Sequence, residues 1–553
     1  MIQYKLNFIF SLVTLIFLFF ASWRAYSYAE IHYTFFGYSL ISRNYPEIVL
    51  DTPWRVGPGE PIPLVCIIKD ADRYPIELER ITARFQTEGG EQFSKCIFEA
   101  PEPITIAEHY WYRIDYIEPP AVYYQLPENI RISIAVDFSR KGRRRTVITD
   151  NLPGLSHAPL NTLMSPYSLP ALDGWFYGDP HYHSDMTQDQ VEFGAPAEVA
   201  MAMGKAIGLS WVAITDHSYD LDIAIGEFFK SDNELTRWRK IVDDANRINS
   251  QNNGFIVVPA EEVSCGNHKN HNIHLLAFNK LEFISGKGDG VKRGFNRKPD
   301  FTLKDVLEMI NNKGGFAYAS HPEEGNGFMG TLLLKRGHWG HKDYSLGGYS
   351  GLQFWNGERD KVFDVSYNRW KQLLLEGHKL FILGGNDAHG DFNRYRGVKY
   401  PNTKLKESDN HIFGKIRTYA YCGENFSLDS VLNAMENGKT IVTNGPVAAL
   451  KVQNDNGRIA SVGDSISGRE SKLIIKAASS KEFGQITKVD LIKGSLSEKQ
   501  ESLETSFIPE NNCYNHDFTY KIEHQSPCYL RLEASSDGEK YSCFTSPIWL
   551  LVG

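Results

Sequence analysis

Between Trp175 and Leu383 this 553-residue chain carries seven short apolar runs, and each is joined to side chains of the kind that hold metal ions. The runs are 175–177, 210–215, 255–259, 273–278, 316–319, 350–355 and 380–383. Helix-like apolar patterns lie between several of them, at 195–207, 233–249, 301–312 and 362–375, and glycines at 208, 314 and 377 stand where helices take their C-caps. Strands alternating with helices imply a mainly parallel sheet, and about 270 residues of that pattern suit an α/β barrel.

The polar residues recur at the run ends. The first run leads into Asp179, His181, His183 and Asp185, with Asp189 beyond, and the second into Asp216 and His217. Glu261 and Glu262 follow the third; the fourth contains His274, with His268 and His271 just upstream. His321 follows the fifth, Asn356 and Glu358 the sixth, and Asp387 and His389 the seventh. In a β/α barrel the C-terminal strand ends converge on one face, so residues distant in sequence would meet there. Imidazoles and carboxylates together suit Zn, Mn or Fe, and a carboxylate such as Glu262 can bridge two ions. His181 and His183 alternate along an extended strand and so project to one side. Twelve of the 17 histidines lie from His181 to His411, but only their placement at run ends is informative.

The remainder of the chain reads as accessory structure. Residues 30–150 favour strands and turns, including a hairpin whose tip carries Arg140, Lys141, Arg143, Arg144 and Arg145, and suit a β-sandwich. Residues 151–172, rich in Pro, form the expected linker; 173–446 hold the barrel; 447–553 return to short β-runs as a C-terminal β-domain. A formal charge of −8 argues against a broad nucleic-acid-binding surface. Residues 1–29 include 18 consecutive uncharged residues, 6–23, readable as a membrane anchor or as a cleaved signal peptide. Either reading places the rest outside the cytoplasm, periplasmic or membrane-anchored. There, cysteines could pair as Cys66 with Cys96 or Cys513 with Cys528; buried free thiols are the alternative.

The ordered pieces His181-Tyr-His183-Ser, Ala213-Ile-Thr-Asp-His217, Pro259-Ala-Glu-Glu-Val263, His274-Leu-Leu-Ala, Ala319-Ser-His-Pro322 and Asn386-Asp-Ala-His389 resemble the polymerase and histidinol phosphatase (PHP) metallohydrolases. The flanking β-regions and the ending Phe544-Thr-Ser-Pro-Ile-Trp549 are similar to that family's carbaryl-hydrolase-like branch. The resemblance implies a distorted (β/α)7 barrel between N- and C-terminal β-sandwich-like domains, with two or three divalent ions. Position by position it implies His181, His183, His217, Glu262, His274, His321, Asp387 and His389 as ligands. The family's early Asp position holds Gln188 here, so Asp189 takes that role, with Asp185 as the alternative.

The chemistry these residues suggest is hydrolysis of a small phosphoester by metal-activated water, with carboxylic or carbamate esters open. His217 is a candidate general acid, as is His271, and Arg394 and Arg396 are candidates to grip an anionic substrate; surface ion pairing is their plain alternative. Rival readings are a non-catalytic cell-surface binding protein, an amidohydrolase-type barrel and an exonuclease.

Overall fold

All seven apolar runs form strands and all four helix patterns form helices in the computed structural model. It describes residues 34–35, 38–39 and 45–552, apart from 119–126, 153, 188–193, 226, 228–229, 279–281, 287, 289–297, 326–330, 332–334, 400–403 and 510–513. The Ala197–Ile207 helix ends as expected at Gly208, whose φ of 104° lets its N–H turn back onto the last carbonyls. Thr302 and Asp305 close a capping box on Leu303–Asn311.

The strands do not close into the expected (β/α)7 barrel. They divide between two hydrogen-bonded sheets. In one, Ile256–Pro259, Trp211–Ile214 and Trp175–Tyr182 are parallel; Arg417–Tyr421, Thr440–Thr443 and Tyr541–Thr545 then continue it antiparallel into the C-terminal region. In the other, Glu261–Gly266, Asn272–Phe278 and Phe316–Ala319 are antiparallel in succession, and Gly351–Asn356 and Phe381–Gly385 add in parallel. Strand accounts for 45% of the structure and helix for 15%. The alternation of strands and helices left pairing undetermined. A parallel neighbour needs a crossover of about a dozen residues or more, whereas residues 267–271 can only make a hairpin between their flanking strands.

Two seams bring the sheets together. Across Ala260 the chain passes from Pro259 in one sheet to Glu261 in the other. Opposite, Asp387 N donates to His181 O at 3.0 Å and His183 N to Ala388 O at 2.9 Å. The polar ends of strands from both sheets therefore face one interior space, so convergence survives without a closed barrel.

The N-terminal region is the expected sandwich. Glu47–Asp51, Ile62–Lys69 and Tyr110–Ile117 form one layer; Ile76–Gln86, Gln92–Ile106 and Glu128–Arg140 belong to the other. Inward residues such as Leu64, Ile81, Phe85, Ile132 and Ile134 make its core, each contributing about 1.5–3 kcal/mol when a large side chain is fully buried. The hairpin at Arg140–Arg143 is present. Leu160–Met164 pairs with Glu128–Arg140, so part of the expected linker belongs to the sandwich. The C-terminal region pairs Val447–Asn454 and Glu470–Ala478 in a further sheet. Cys66 and Cys96 are both free thiols, and the 1–29 segment and Cys513 lie outside the described residues. Among the described residues no helix is long and apolar enough to cross a membrane.

Candidate metal centre

Eight of the nine sequence-predicted ligands meet in the space between the two sheets. His181 and His183 come from the end of Trp175–Tyr182, and His217 caps the short helix Ser218–Leu221 just beyond Trp211–Ile214. Glu262 and His274 lie in the antiparallel pair Glu261–Gly266 and Asn272–Phe278. His321 follows Phe316–Ala319, and Asp387 and His389 follow Phe381–Gly385. Asp387 and His321 have φ of 51° and 26°, a left-handed backbone that non-glycine residues adopt at a cost and that occurs preferentially at functional sites.

Glu262 is the hub. Its Oε1 lies 3.1 Å from His274 Nδ1, 3.1 Å from His321 Nε2 and 3.5 Å from His181 Nε2; its Oε2 lies 2.9 Å from His217 Nδ1 and 3.7 Å from His183 Nε2. Asp387 Oδ1 stands 3.1 Å from His181 Nε2 and 2.9 Å from His183 Nε2. The donors fall into three overlapping groups: His183, His217 and His389; His181, Glu262, His321 and Asp387; and His217, Glu262 and His274. Within each group the donor atoms lie within 4.8 Å of one another. Zn–ligand bonds of about 2.0–2.2 Å place neighbouring donors a little over 3 Å apart, so these spacings fit.

The donor set passes a further test of fit. His217 Nδ1 and Glu262 Oε2 are 2.9 Å apart and buried, yet neither makes a hydrogen bond. A cation held between them would satisfy both. Protonation agrees for part of the set. Burial acts to raise Glu262, but the imidazoles of His274 and His181 hold it well below the carboxylate range. Asp387 is likewise opposed by burial and held well below that range by His181 and His183. Burial pushes His183 well below the imidazole range, with His389 and His217 adding to it, and burial brings His389 down to about 4. Anionic carboxylates and neutral imidazoles are the forms that bind cations. Against burial, Glu324 and Glu262 raise His321 well above the imidazole range and Asp387 and Glu262 raise His181, so those two imidazoles would have to release protons to bind a cation.

Among the ligands' partners, Asp179 and Asp216 stood at run ends in the sequence, whereas Gln353 and Ser320 carried no clear signal. Gln353 Oε1 accepts from His181 Nδ1 at 2.8 Å, fixing the tautomer that leaves Nε2 for a cation. Asp179 accepts from the backbone N–H of His181 and from Asn386 Nδ2, so it ties the first ligand strand to the last ligand loop. Asp216, pushed up to about 7 by burial, accepts from Ser184 N and Oγ at 2.7 and 2.6 Å. Ser320 Oγ donates to Glu262 Oε1 at 2.7 Å. A buried polar residue in an otherwise apolar strand, as Gln353 is, was the one cue available.

Other predicted residues fall elsewhere. Asp189 lies outside the described residues, and Asp185 belongs to none of the three groups. Arg394 and Arg396 border none of the donor groups by direct pairing, and Arg394 lines a large groove that Glu358 and His411 also line. Arg394 donates to Ala158 O and Pro159 O and pairs with Glu407, while the buried Arg396 faces Asp51, Asp150 and Asp391. Both fasten the N-terminal sandwich to the ligand loop. His217 belongs to two of the donor groups. His268 is held by Asp343 in a polar loop.

Beside His321 a small cavity of about 50 Å³ is lined by Glu324, Asn356, Glu358 and His411. Glu358 and His411 also line a groove of about 950 Å³ running between the N-terminal, central and C-terminal regions.

No protein-family model and no curated protein matches this chain. Among solved structures, a β-glucuronidase of Parabacteroides merdae is 9% identical, with 92% of this chain and 64% of that one covered at a TM-score of 0.19. Bacteroides uniformis β-glucuronidase 2 is 11% identical over 92% and 61%, at a TM-score of 0.17. A putative β-galactosidase from Bacteroides fragilis is 9% identical over 92% and 73%, at 0.18. This chain spans less than two thirds of the length of the two β-glucuronidases, and scores this low carry no argument about fold or chemistry.

Proposed function

We propose that this chain is a metal-dependent hydrolase of small phosphoesters, with the Glu262 cluster as its centre and two or three divalent ions of the Zn, Mn or Fe class as cofactors. One observation carries the reading: six imidazoles and two carboxylates, drawn from strand ends of two separate sheets, form three overlapping donor groups, two of which share Glu262. His181, Glu262, His321 and Asp387 would hold one ion, Glu262 and His274 a second, and His183 and His389 a third, with the single lone pair of His217 completing either the second or the third. Bound there, such ions supply Lewis acidity and bring the pKa of water from about 15.7 toward 7, and paired ions suit in-line displacement at phosphorus.

The protein's own part is positional. Gln353, Asp179 and Ser320 fix the orientation of His181, of the Asn386–Asp387 turn and of Glu262. His411 Nδ1 lies 2.8 Å from the Asn386 carbonyl, which makes Nδ1 the donor and directs Nε2 elsewhere. Lining the cavity beside His321 without belonging to a donor group, it is placed to exchange a proton with a leaving group.

The test is a panel of phosphomonoesters, phosphodiesters, carboxylic esters and carbamates, run on the purified protein and on His183→Ala. Turnover of phosphoesters that disappears in the variant supports the reading; turnover confined to carboxylic or carbamate esters moves the substrate class. Activity untouched by His183→Ala overturns the site.

A further inference from the structure

A second cluster of metal-ligand type lies in the N-terminal sandwich. Asp70, Asp72 and His109 bring together two carboxylates and one imidazole whose donor atoms lie within 4.8 Å of one another. His109 Nδ1 is 3.4 Å from Asp72 Oδ1 and 3.7 Å from Asp70 Oδ1. The two loops that supply them are joined by backbone hydrogen bonds, Asp70 N to His109 O at 2.8 Å and Asp72 N to Glu108 O at 3.1 Å, so the arrangement is held before any ligand arrives. Asp70 adopts a φ of 63°, a strained backbone for a residue with a Cβ.

Asp70 supplies the independent observation. Its side chain is 1% exposed, and neither carboxylate oxygen has a hydrogen-bond partner. An unsatisfied buried carboxylate is costly, and such groups are normally paired, hydrogen-bonded or bound to a cation. Glu47, which sits opposite Lys69 in the neighbouring strand, also has both oxygens buried without a hydrogen bond. Lys69 acts on Glu47 and on His109 through its charge, without a hydrogen bond to Glu47 or Asp70. Donor separations of 3.4 and 3.7 Å match those around an ion with bonds of about 2.0–2.2 Å, and a mixed imidazole and carboxylate set selects a divalent transition ion over Ca²⁺.

We propose that Asp70, Asp72 and His109 form a structural site for one divalent ion of the zinc class, which pins the 70–74 turn to the loop preceding Tyr110. Asp72 and His109 are 39% and 22% exposed, so the ion would enter from the solvent side with water completing its shell. The proposal is independent of the Glu262 centre, and its test separates the two.

The purified full-length protein is stripped with a chelator, reloaded with Zn²⁺ alone and desalted, and bound zinc per chain is measured for wild type, Asp70→Asn, Asp72→Ala and His183→Ala. The expected result is one equivalent lost from Asp70→Asn and from Asp72→Ala. In the Asp72→Ala/His183→Ala double variant that loss adds to whatever His183→Ala removes. The zinc-dependent rise in Tm of the N-terminal sandwich disappears in Asp72→Ala. Asp72 is exposed, so that variant carries the test should Asp70→Asn fold poorly. Wild-type zinc content in Asp72→Ala overturns the proposal, whatever happens at the Glu262 cluster.

Discussion

Replacing Arg396 with Met removes a positive charge shared by three buried acids, of which Asp150 also has His157 Nδ1 3.0 Å from its Oδ1. Arg396 Nη1 lies 3.2 Å from Asp51 Oδ2 and 3.2 Å from Asp391 Oδ1, and Nε is 3.7 Å from Asp150 Oδ2; none of the four side chains is more than 5% exposed. Removing one partner of a buried ion pair costs about 3–5 kcal/mol, because the other charge is left uncompensated. With three acids affected, the upper half of that range is expected, concentrated where the sandwich meets the 387–396 loop. Burial already raises Asp51 and Arg396 opposes the rise, so in the variant the Asp51 carboxyl moves further up. An acid whose folded pKa exceeds its unfolded value of about 3.9 keeps its stability at low pH and loses it as pH climbs through the folded value. The deficit should therefore be larger near pH 8 than near pH 5. Urea unfolding at both pH values, with hydrogen exchange over 387–396 as the local probe, measures it. A loss below about 1 kcal/mol at both, the range of an exposed ion pair, together with a raised KM, would refute the reasoning and return Arg396 to substrate binding.

Gln353→Leu leaves His181 Nδ1 without its 2.8 Å partner; metal affinity in chelator competition should fall about 10–100-fold with the fold intact. His411→Ala should lower kcat by about 10²–10⁴-fold and leave bound metal unchanged, a separation that a ligand variant would not show. Gly178→Ala would put a Cβ 2.0 Å from Trp211 Cδ2, in the parallel strand beside it; overpacking of about 1–3 kcal/mol or more should appear as a lower Tm or lost soluble protein.

The clustered side chains were legible because metal chemistry restricts residue type so tightly that His and carboxylate at successive run ends stand out one by one. The helices were legible for a similar reason, with Gly208 and the Thr302 box marking their ends. Pairing was not. The 350–355 and 380–383 runs are parallel neighbours as a barrel requires, but 261–266 against 272–278 is a hairpin, signalled only by the short link carrying Asn267 and Asn270. Asn270, at φ 59°, is the left-handed residue of that turn. The fate of Arg394 and Arg396 was hidden for a different reason. Proximity in sequence to Asp387 and His389 suggested substrate, while the partners that decide the matter, Asp51 and Asp150, lie in another part of the chain. Gln353 shows the same limit on a smaller scale: its importance rests on His181, which the strand pairing brings to it.

X-ray diffraction from crystals of the protein grown with Zn²⁺ or Mn²⁺, collected on both sides of the metal absorption edge, tests the central claim most directly. Two or three anomalous peaks within bonding distance of His181, His183, His217, Glu262, His274, His321, Asp387 and His389, with Glu262 touching more than one, are the predicted result. Density showing these side chains hydrogen-bonded only to one another and to water, with no anomalous peak beside Glu262 at saturating metal, would contradict it.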